Sequence, residues 1–454
     1  MSEKIHKGDM LECTVDALAF GGRGVARADG LVYFIDGALP GQRVKAKVTS
    51  VKKRFAEAEA VSLVESGPDD VPPFCPHYGK CGGCDVQDLS YPAQLEWKRR
   101  FVVDSLSRIG GAEAPQVAQT APSPQEQHYR NKMEFAFVGG GSERSLSLGL
   151  HKRGSTDSIV NVEHCALQSP FAMDVVAAAR EFCRESAVPA YNPVTRKGLW
   201  RFLVVREARG TGQCMVHCIT APGAGGGVVR ALGAMLMERF PQLTTFVHST
   251  RKATSAIAFG EEQTAVLGPG YIEETVLGLT YRISPDSFFQ TNTAAAEVLY
   301  STARDFAGLT GGETVWDLYC GSGGISLVMA QQAGLVVGFE NVDSAVEDAR
   351  ANAERNGVSN CEFVAGDVRG RISRRKERPD VVVADPPRKG MHKDVVQAIL
   401  EAAPRRIVYV SCNPTTLARD IGILSERYTL RQTCPVDLFP HSAHVECVAL
   451  LELK

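Results

Sequence analysis

The chain lacks any apolar run approaching the roughly 20 residues that a membrane span requires, and Met1-Ser-Glu-Lys-Ile-His-Lys7 has no apolar core of a secretory leader. No membrane partner is therefore expected. Net charge is nearly absent as well, because 50 Lys and Arg stand against 52 Asp and Glu, a formal charge of -2. That balance excludes a global electrostatic grip on a polyanion, so any such grip must come from local patches. No internal repeat is apparent, which leaves out a repeat architecture. The cysteines are not even in number. Thirteen of them, at the spacings described below, argue for a reducing compartment, the cytoplasm, against a disulfide framework.

What is present is enough length, 454 residues at 44% hydrophobic content, for two or three domains with sizeable cores. In residues 1–64, Gly21-Gly-Arg-Gly24, Gly30, Gly37 and Pro40-Gly41 punctuate short alternating runs such as Leu31 to Ile35 and Val44 to Val48. Turn residues at that spacing predict a small β-barrel. Lys45, Lys47, Lys52, Lys53 and Arg54 lie close together there, and Phe34 offers a stacking surface. Glu65 to Pro73 reads as a linker, while Gly110 to Gln127 and Ala221 to Gly227 read as loops. Between them, Trp200 to Val205, Cys214 to Ile219 and Thr245 to His248 predict a sheet, flanked by helices around 177–185 and 229–239. A further helix, Ala93 to Ile109, is placed either there or on the next domain.

Cys75, Cys81, Cys84 and a later Cys165 offer four thiolates, with Gly82 and Gly83 permitting a tight loop. Such a set binds zinc or an iron-sulfur cluster, and the spacing does not choose between them.

From residue 286 the pattern alternates strand and helix. A strand at 314–318 runs into Tyr319-Cys-Gly-Ser-Gly-Gly324, where glycines let the backbone approach a ligand. The next strand ends in Glu340, placed to bind two ribose hydroxyls. A dinucleotide site would want a third glycine, which Gly321-Ser-Gly-Gly-Ile-Ser326 lacks, and would have apolar residues where Asp317 stands. The pattern favours S-adenosylmethionine over NAD. Later strands end at Asp367, suited to an adenine amino group, and at Asp385-Pro-Pro-Arg-Lys-Gly390, whose prolines deny a helix beside the carboxylate. Strand ends converge in such a sheet, so these acids share one crevice.

Ser411-Cys412-Asn413-Pro414 puts one thiol between an apolar run and a helix start. A helix N-terminus is expected to lower its pKa and favour the thiolate. Glu446, at the start of the last apolar run, supplies a carboxylate. A nucleophile and a base are both on hand.

Phe288-Phe-Gln-Thr-Asn292, Asp317-Leu-Tyr-Cys-Gly-Ser-Gly323, Asp385-Pro-Pro-Arg-Lys-Gly390, Ser411-Cys-Asn-Pro414 and His444-Val-Glu446, in this order, resemble the RNA uracil-5-methyltransferases along nearly the whole chain. Residues 1–64 resemble the TRAM domain. The resemblance implies a multidomain α/β protein: an OB-like TRAM barrel (1–64), a central α+β domain carrying a four-cysteine cluster (65–285) and a Rossmann-like methyltransferase sheet (286–454). It makes Cys412 the nucleophile and Glu446 the base. Gln290, Tyr319, Gly324, Glu340 and Asp385 would line the S-adenosylmethionine and uracil site, with Asp367 near the adenine. Gly324 departs from an asparagine that some ribosomal members have. For Cys75, Cys81, Cys84 and Cys165 the resemblance implies a structural 4Fe-4S cluster over zinc.

The chemistry explains the residue types. Carbon 5 of uracil is a poor nucleophile until a thiolate adds to carbon 6, and a base must then remove the carbon 5 proton so that the cysteine can leave. The base must leave its stack first, with Phe288 and Phe289 available to stack on it. Lys98-Arg-Arg100, Arg130, Lys132, Lys152-Arg153 and Arg251-Lys252 are candidate RNA contacts. The expected partner is RNA, 23S ribosomal RNA, bound by a monomer. Transfer RNA is the alternative, and that branch is expected to be shorter and to lack barrel and cluster. A cytosine-5 methyltransferase would set its nucleophile after proline. A non-catalytic RNA-binding iron-sulfur protein would leave Cys412 and Glu446 without a purpose.

Overall fold

The computed structural model describes residues 5–139, 146–375 and 377–454. Strand Arg43–Val51 exposes Lys45 and Lys47 and buries Val44, Ala46 and Val48, the period-2 pattern of a sheet with one face in a core. It belongs to a six-stranded sheet in the order Met10–Thr14, Arg43–Val51, Phe55–Glu65, Leu31–Asp36, Gly24–Ala28, Ala17–Leu18, around Tyr33 and Ile35. This is the expected barrel. Phe34 already carries the Arg23 guanidinium over its ring at 4.9 Å, so a stacking base would have to displace that arginine.

The central sheet runs Glu262–Leu267, Leu243–Thr250, Cys214–Thr220, Trp200–Glu207, Lys132–Val138, Ser147–His151, Ile159–Val160. Helices Pro170–Glu185 and Gly226–Arg239 cover one face with an apolar core that includes Phe135, Leu203 and Val216. Arg206 and His217 are buried nevertheless.

The third sheet runs Cys361–Ala365, Leu335–Glu340, Thr314–Leu318, Val381–Ala384, Arg406–Ser411, Glu446–Leu453, Tyr428–Val436. Its first five strands are parallel and fully apolar runs such as Val381–Ala384 sit inside it, as expected for a sheet covered on both faces. Strand order reverses between Thr314–Leu318 and Val381–Ala384. A crevice at the carboxyl ends of the strands follows from that reversal.

Helix Tyr91–Arg108 docks on this third domain, with Phe101, Val102 and Leu106 in one core with Leu417 and Ile421. The hairpin Ile272–Val276 and Leu279–Ile283 likewise packs into its other apolar face. Two expected RNA contacts are corrected by burial. Lys98 is 1% exposed and its ammonium donates to Asp437 at 2.5 Å, while Arg251 donates to Ser255 Oγ and the Phe259 carbonyl. Among the described residues, no helix is long and apolar enough to cross a membrane.

Candidate active site

The antiparallel ladder between Arg406–Ser411 and Glu446–Leu453 pairs Ser411 with Cys447. One step past that pair, Cys412 comes across from Glu446, the spacing at which opposed side chains interact. Strand Val381–Ala384 is the parallel neighbour of Arg406–Ser411, and Asp385 follows it directly. Nucleophile, base and a second carboxylate thus stand on three adjacent strand ends. Asn413 ties two of these loops together, donating from Nδ2 to the Arg388 carbonyl (3.0 Å) while its Oδ1 caps helix Pro414–Leu424 through the Thr415 N–H (3.0 Å).

The electrostatics reverse the expectation for Cys412. Its half-buried thiol is pushed up to about 11, first by burial and then by Glu446 and Asp385, with Arg388 opposing. A helix terminus loses to desolvation combined with two nearby carboxylates. Glu446, 5% exposed, is held well above the usual carboxylate range by burial and by Asp385. Asp385 is raised to about 7 by burial. Each carboxylate thus opposes ionisation of a neighbouring acid.

Beside them lies the glycine turn. Glu340 accepts the N–H groups of Gly321 (3.1 Å), Asn341 (2.8 Å) and Val342 (2.9 Å), which holds the turn against the second strand. Tyr319 takes φ +66°, a strained region for a bulky residue. Asp317 is fully buried and raised to about 7 by burial; its Oδ2 accepts from Ser326 Oγ at 2.5 Å and its Oδ1 has no partner. That orphaned oxygen fits a cationic ligand at the turn. Asp367 is exposed, caps helix Val368–Ile372 and is engaged by Arg369, which holds it below the usual carboxylate range. Gln290 is buried in a segment whose carbonyl accepts from Asn131 Nδ2 (2.9 Å).

Gly324 has its own reason. A Cβ there would lie 2.9 Å from the Tyr300 hydroxyl, so the tyrosine occupies the space an asparagine would need. Burial, and behind it the charges of Asp385, Asp317 and Glu446, raises the Tyr300 phenol above its ordinary pKa. Sequence reasoning missed it, because a tyrosine on the amphipathic helix Thr293–Ala307 reads as core.

The expected stacking pair divides. Both line a cavity of about 600 Å³ with Arg130, Lys132, Lys152 and Arg206, but Phe289 is buried against Tyr281 whereas Phe288 is 73% exposed. Cys75, Cys81, Cys84 and Cys165 line one smaller cavity, and burial and the neighbouring thiols raise the pKa of Cys81 and Cys84. Among the described residues, no three His, Cys, Asp or Glu side chains form a site for a single metal ion.

Known proteins resemble this chain along nearly its whole length. Residues 371–454 match the tRNA (Uracil-5-)-methyltransferase family, residues 6–61 the TRAM domain, and residues 294–409 the methyltransferase small domain. An "uncharacterized RNA methyltransferase" of Nitratidesulfovibrio vulgaris is 49% identical, covering 100% of this chain and 98% of that one. One of Bacteroides thetaiotaomicron is 38% identical over 96% of this chain and 100% of its own. The crystal structure of Pyrococcus abyssi tRNA (uracil-54, C5)-methyltransferase with S-adenosyl-L-homocysteine superimposes with TM-score 0.78 at 30% identity, covering 97% of this chain and 100% of that one. That coverage corrects the expectation that a transfer RNA enzyme would be shorter. With barrel, glycine turn and the cysteine–carboxylate pair in place, the chain belongs to the RNA uracil-5-methyltransferase family of S-adenosylmethionine-dependent RNA methyltransferases.

Proposed function

We propose that this chain forms 5-methyluridine in RNA, with Cys412 as nucleophile and Glu446 as base. The observation that carries the reading is the placement of Cys412, Glu446 and Asp385 on three adjacent strand ends. Bound S-adenosylmethionine supplies an electrophilic methyl group and a positive charge, and that charge favours ionisation of the three acids. Glu340, Tyr319, Gln290 and the free oxygen of Asp317 would hold it at the glycine turn, with Asp367 near the adenine. Cys412 Sγ adds to uracil carbon 6. After methylation at carbon 5, Glu446 takes the carbon 5 proton, the freed electron pair forms the carbon 5–carbon 6 double bond, and the carbon–sulfur bond breaks, returning the thiolate. A carboxylate of raised pKa suits that step, and Asp385 near 7 suits a hydrogen bond to the uracil edge.

The substrate we assign is 23S ribosomal RNA, supported by the resemblance of the four cysteines and the barrel to that branch. Transfer RNA is the second reading, favoured by the likeness to the Pyrococcus abyssi enzyme. The cavity of Cys75, Cys81, Cys84 and Cys165 is assigned a 4Fe-4S cluster that braces the fold, and the cytoplasm is the assigned compartment.

Radiolabelled RNA with Glu446→Gln and S-adenosylmethionine should give a protease-sensitive shifted band on a denaturing gel, because methylation proceeds and elimination stalls. A fully active Glu446→Gln would falsify the assignment of the base. Mapping 5-methyluridine in a deletion strain should show loss in 23S RNA; loss in transfer RNA alone establishes the second reading. Iron and broad visible absorbance after anaerobic purification test the cluster, and stoichiometric zinc without iron sinks it.

A further inference from the structure

Residues 437–445 lead from strand Tyr428–Val436 into Glu446 and belong to neither strand, yet their backbone is gripped from outside at almost every step. Asp437 N–H donates to the Ala121 carbonyl (2.9 Å). The carbonyls of Leu438, Phe439 and Pro440 accept from Asn292 Nδ2 (3.0 Å), Lys98 Nζ (2.9 Å) and Tyr129 Oη (3.0 Å). His441 O accepts from Asp85 N (2.9 Å) and Val86 N (3.1 Å), both just past Cys84, and Ala443 N–H donates to the Asp85 carboxylate (3.2 Å).

His441 is the centre of this grip. It is 4% exposed and held at φ +66°, a conformation that persists only where the surroundings over-determine it. Its ring state follows from its partners. His441 N–H donates to Gln94 Oε1 (2.8 Å), which orients the amide so that Gln94 Nε2 faces the ring and Nδ1 must accept (3.3 Å). Nε2 therefore carries the proton and donates it to the Glu126 carbonyl (3.0 Å). Phe74, one residue before Cys75, meets the ring edge-on at 5.0 Å between centroids.

None of this is needed to close the sheet, since the ladder between Arg406–Ser411 and Glu446–Leu453 is continuous. What it fixes is where Glu446 enters. We propose that His441 is a positioning residue for Glu446, locking residues 437–445 between helix Tyr91–Arg108 and the cysteine-bearing loop so that the carboxylate meets the carbon 5 proton. The proposal rests on the reading of Cys412 and Glu446 as nucleophile and base. It has a kinetic consequence that a general structural role lacks. Glu446 acts after methyl transfer, so a carboxylate displaced by about an ångström slows elimination by up to roughly 100-fold and leaves the earlier steps alone.

The test uses His441→Gly, which keeps the positive φ and removes the ring, and Gln94→Met, which keeps the histidine and removes the amide that both its N–H and its ring engage. Both are followed through a single turnover with radiolabelled RNA. The expected result is cofactor affinity within twofold of wild type, methyl transfer near the wild-type rate, and a protein–RNA adduct that persists about 10 to 100 times longer. Adduct lifetimes equal to wild type in both variants overturn the proposal, as does a loss of every step in proportion to the folded fraction. Glu446→Gln run in parallel separates the two levels. If it forms no lasting adduct, the reading of the base fails; if it does and His441→Gly behaves as wild type, only the positioning role fails.

Discussion

Cysteine is used twice in this molecule, and burial raises the thiol pKa in both places, at Cys412 and at Cys81 and Cys84. Company separates them. Around Cys412 the next contributions come from carboxylates, Glu446 and Asp385, with the Arg388 cation opposing. Around Cys84 they come from other thiols across a shared cavity, with Arg130 opposing, and around Cys81 the Gly83 N–H opposes burial ahead of the same thiols. A thiol among acids suits the proton traffic proposed for Cys412, whereas thiols among thiols suit the shared ligand proposed for Cys75, Cys81, Cys84 and Cys165.

The widest gap between the regions should appear on mutation. Cys412→Ala is expected to abolish the RNA adduct, a loss of at least about 1,000-fold, with no fall in melting temperature. Cys84→Ala is expected to lower melting by about 10 °C, as loss of a structural group does, while the adduct still forms. Calorimetry beside the denaturing gel reads both. An adduct lost and a melting point kept in both variants would erase the distinction.

A smaller effect sharpens it. With the Cys412 thiol near 11, ionisation grows as pH rises, so adduct formation should climb by up to tenfold per pH unit between about 6 and 9. A profile flat across that window would mean that the bound substrates bring the thiol well below neutrality.

The smallest expected effect concerns the carboxylates. Asp385 has a folded-state pKa of about 7 against an ordinary 3.8, so the folded protein holds an extra proton between those values and stability falls as pH rises through that window. Asp385→Asn removes the penalty. Melting should rise by a few degrees at pH 8, with no gain at pH 4. An equal gain at both pH values would point to packing.

Much of the crevice was legible because its motifs are local. A glycine turn after a strand, an acid before two prolines and a cysteine before a helix cap are readable in runs of a few residues, and the sheet then brings their ends together. What was not legible depends on contacts distant in sequence. The sign of the Cys412 shift required the Glu446 strand to lie beside it. Lys98 looked like part of a basic surface patch until its partner Asp437 was seen, and Tyr300 looked like core until the space above Gly324 was measured. The backbone of His441 carries no signal in its residue type at all.

The strand Glu446–Leu453 is inserted between two strands that both precede it in the chain. The proposed nucleophile, Cys412, therefore precedes the proposed base, Glu446, in the chain, and the two come together only when the last strand is inserted between its two predecessors.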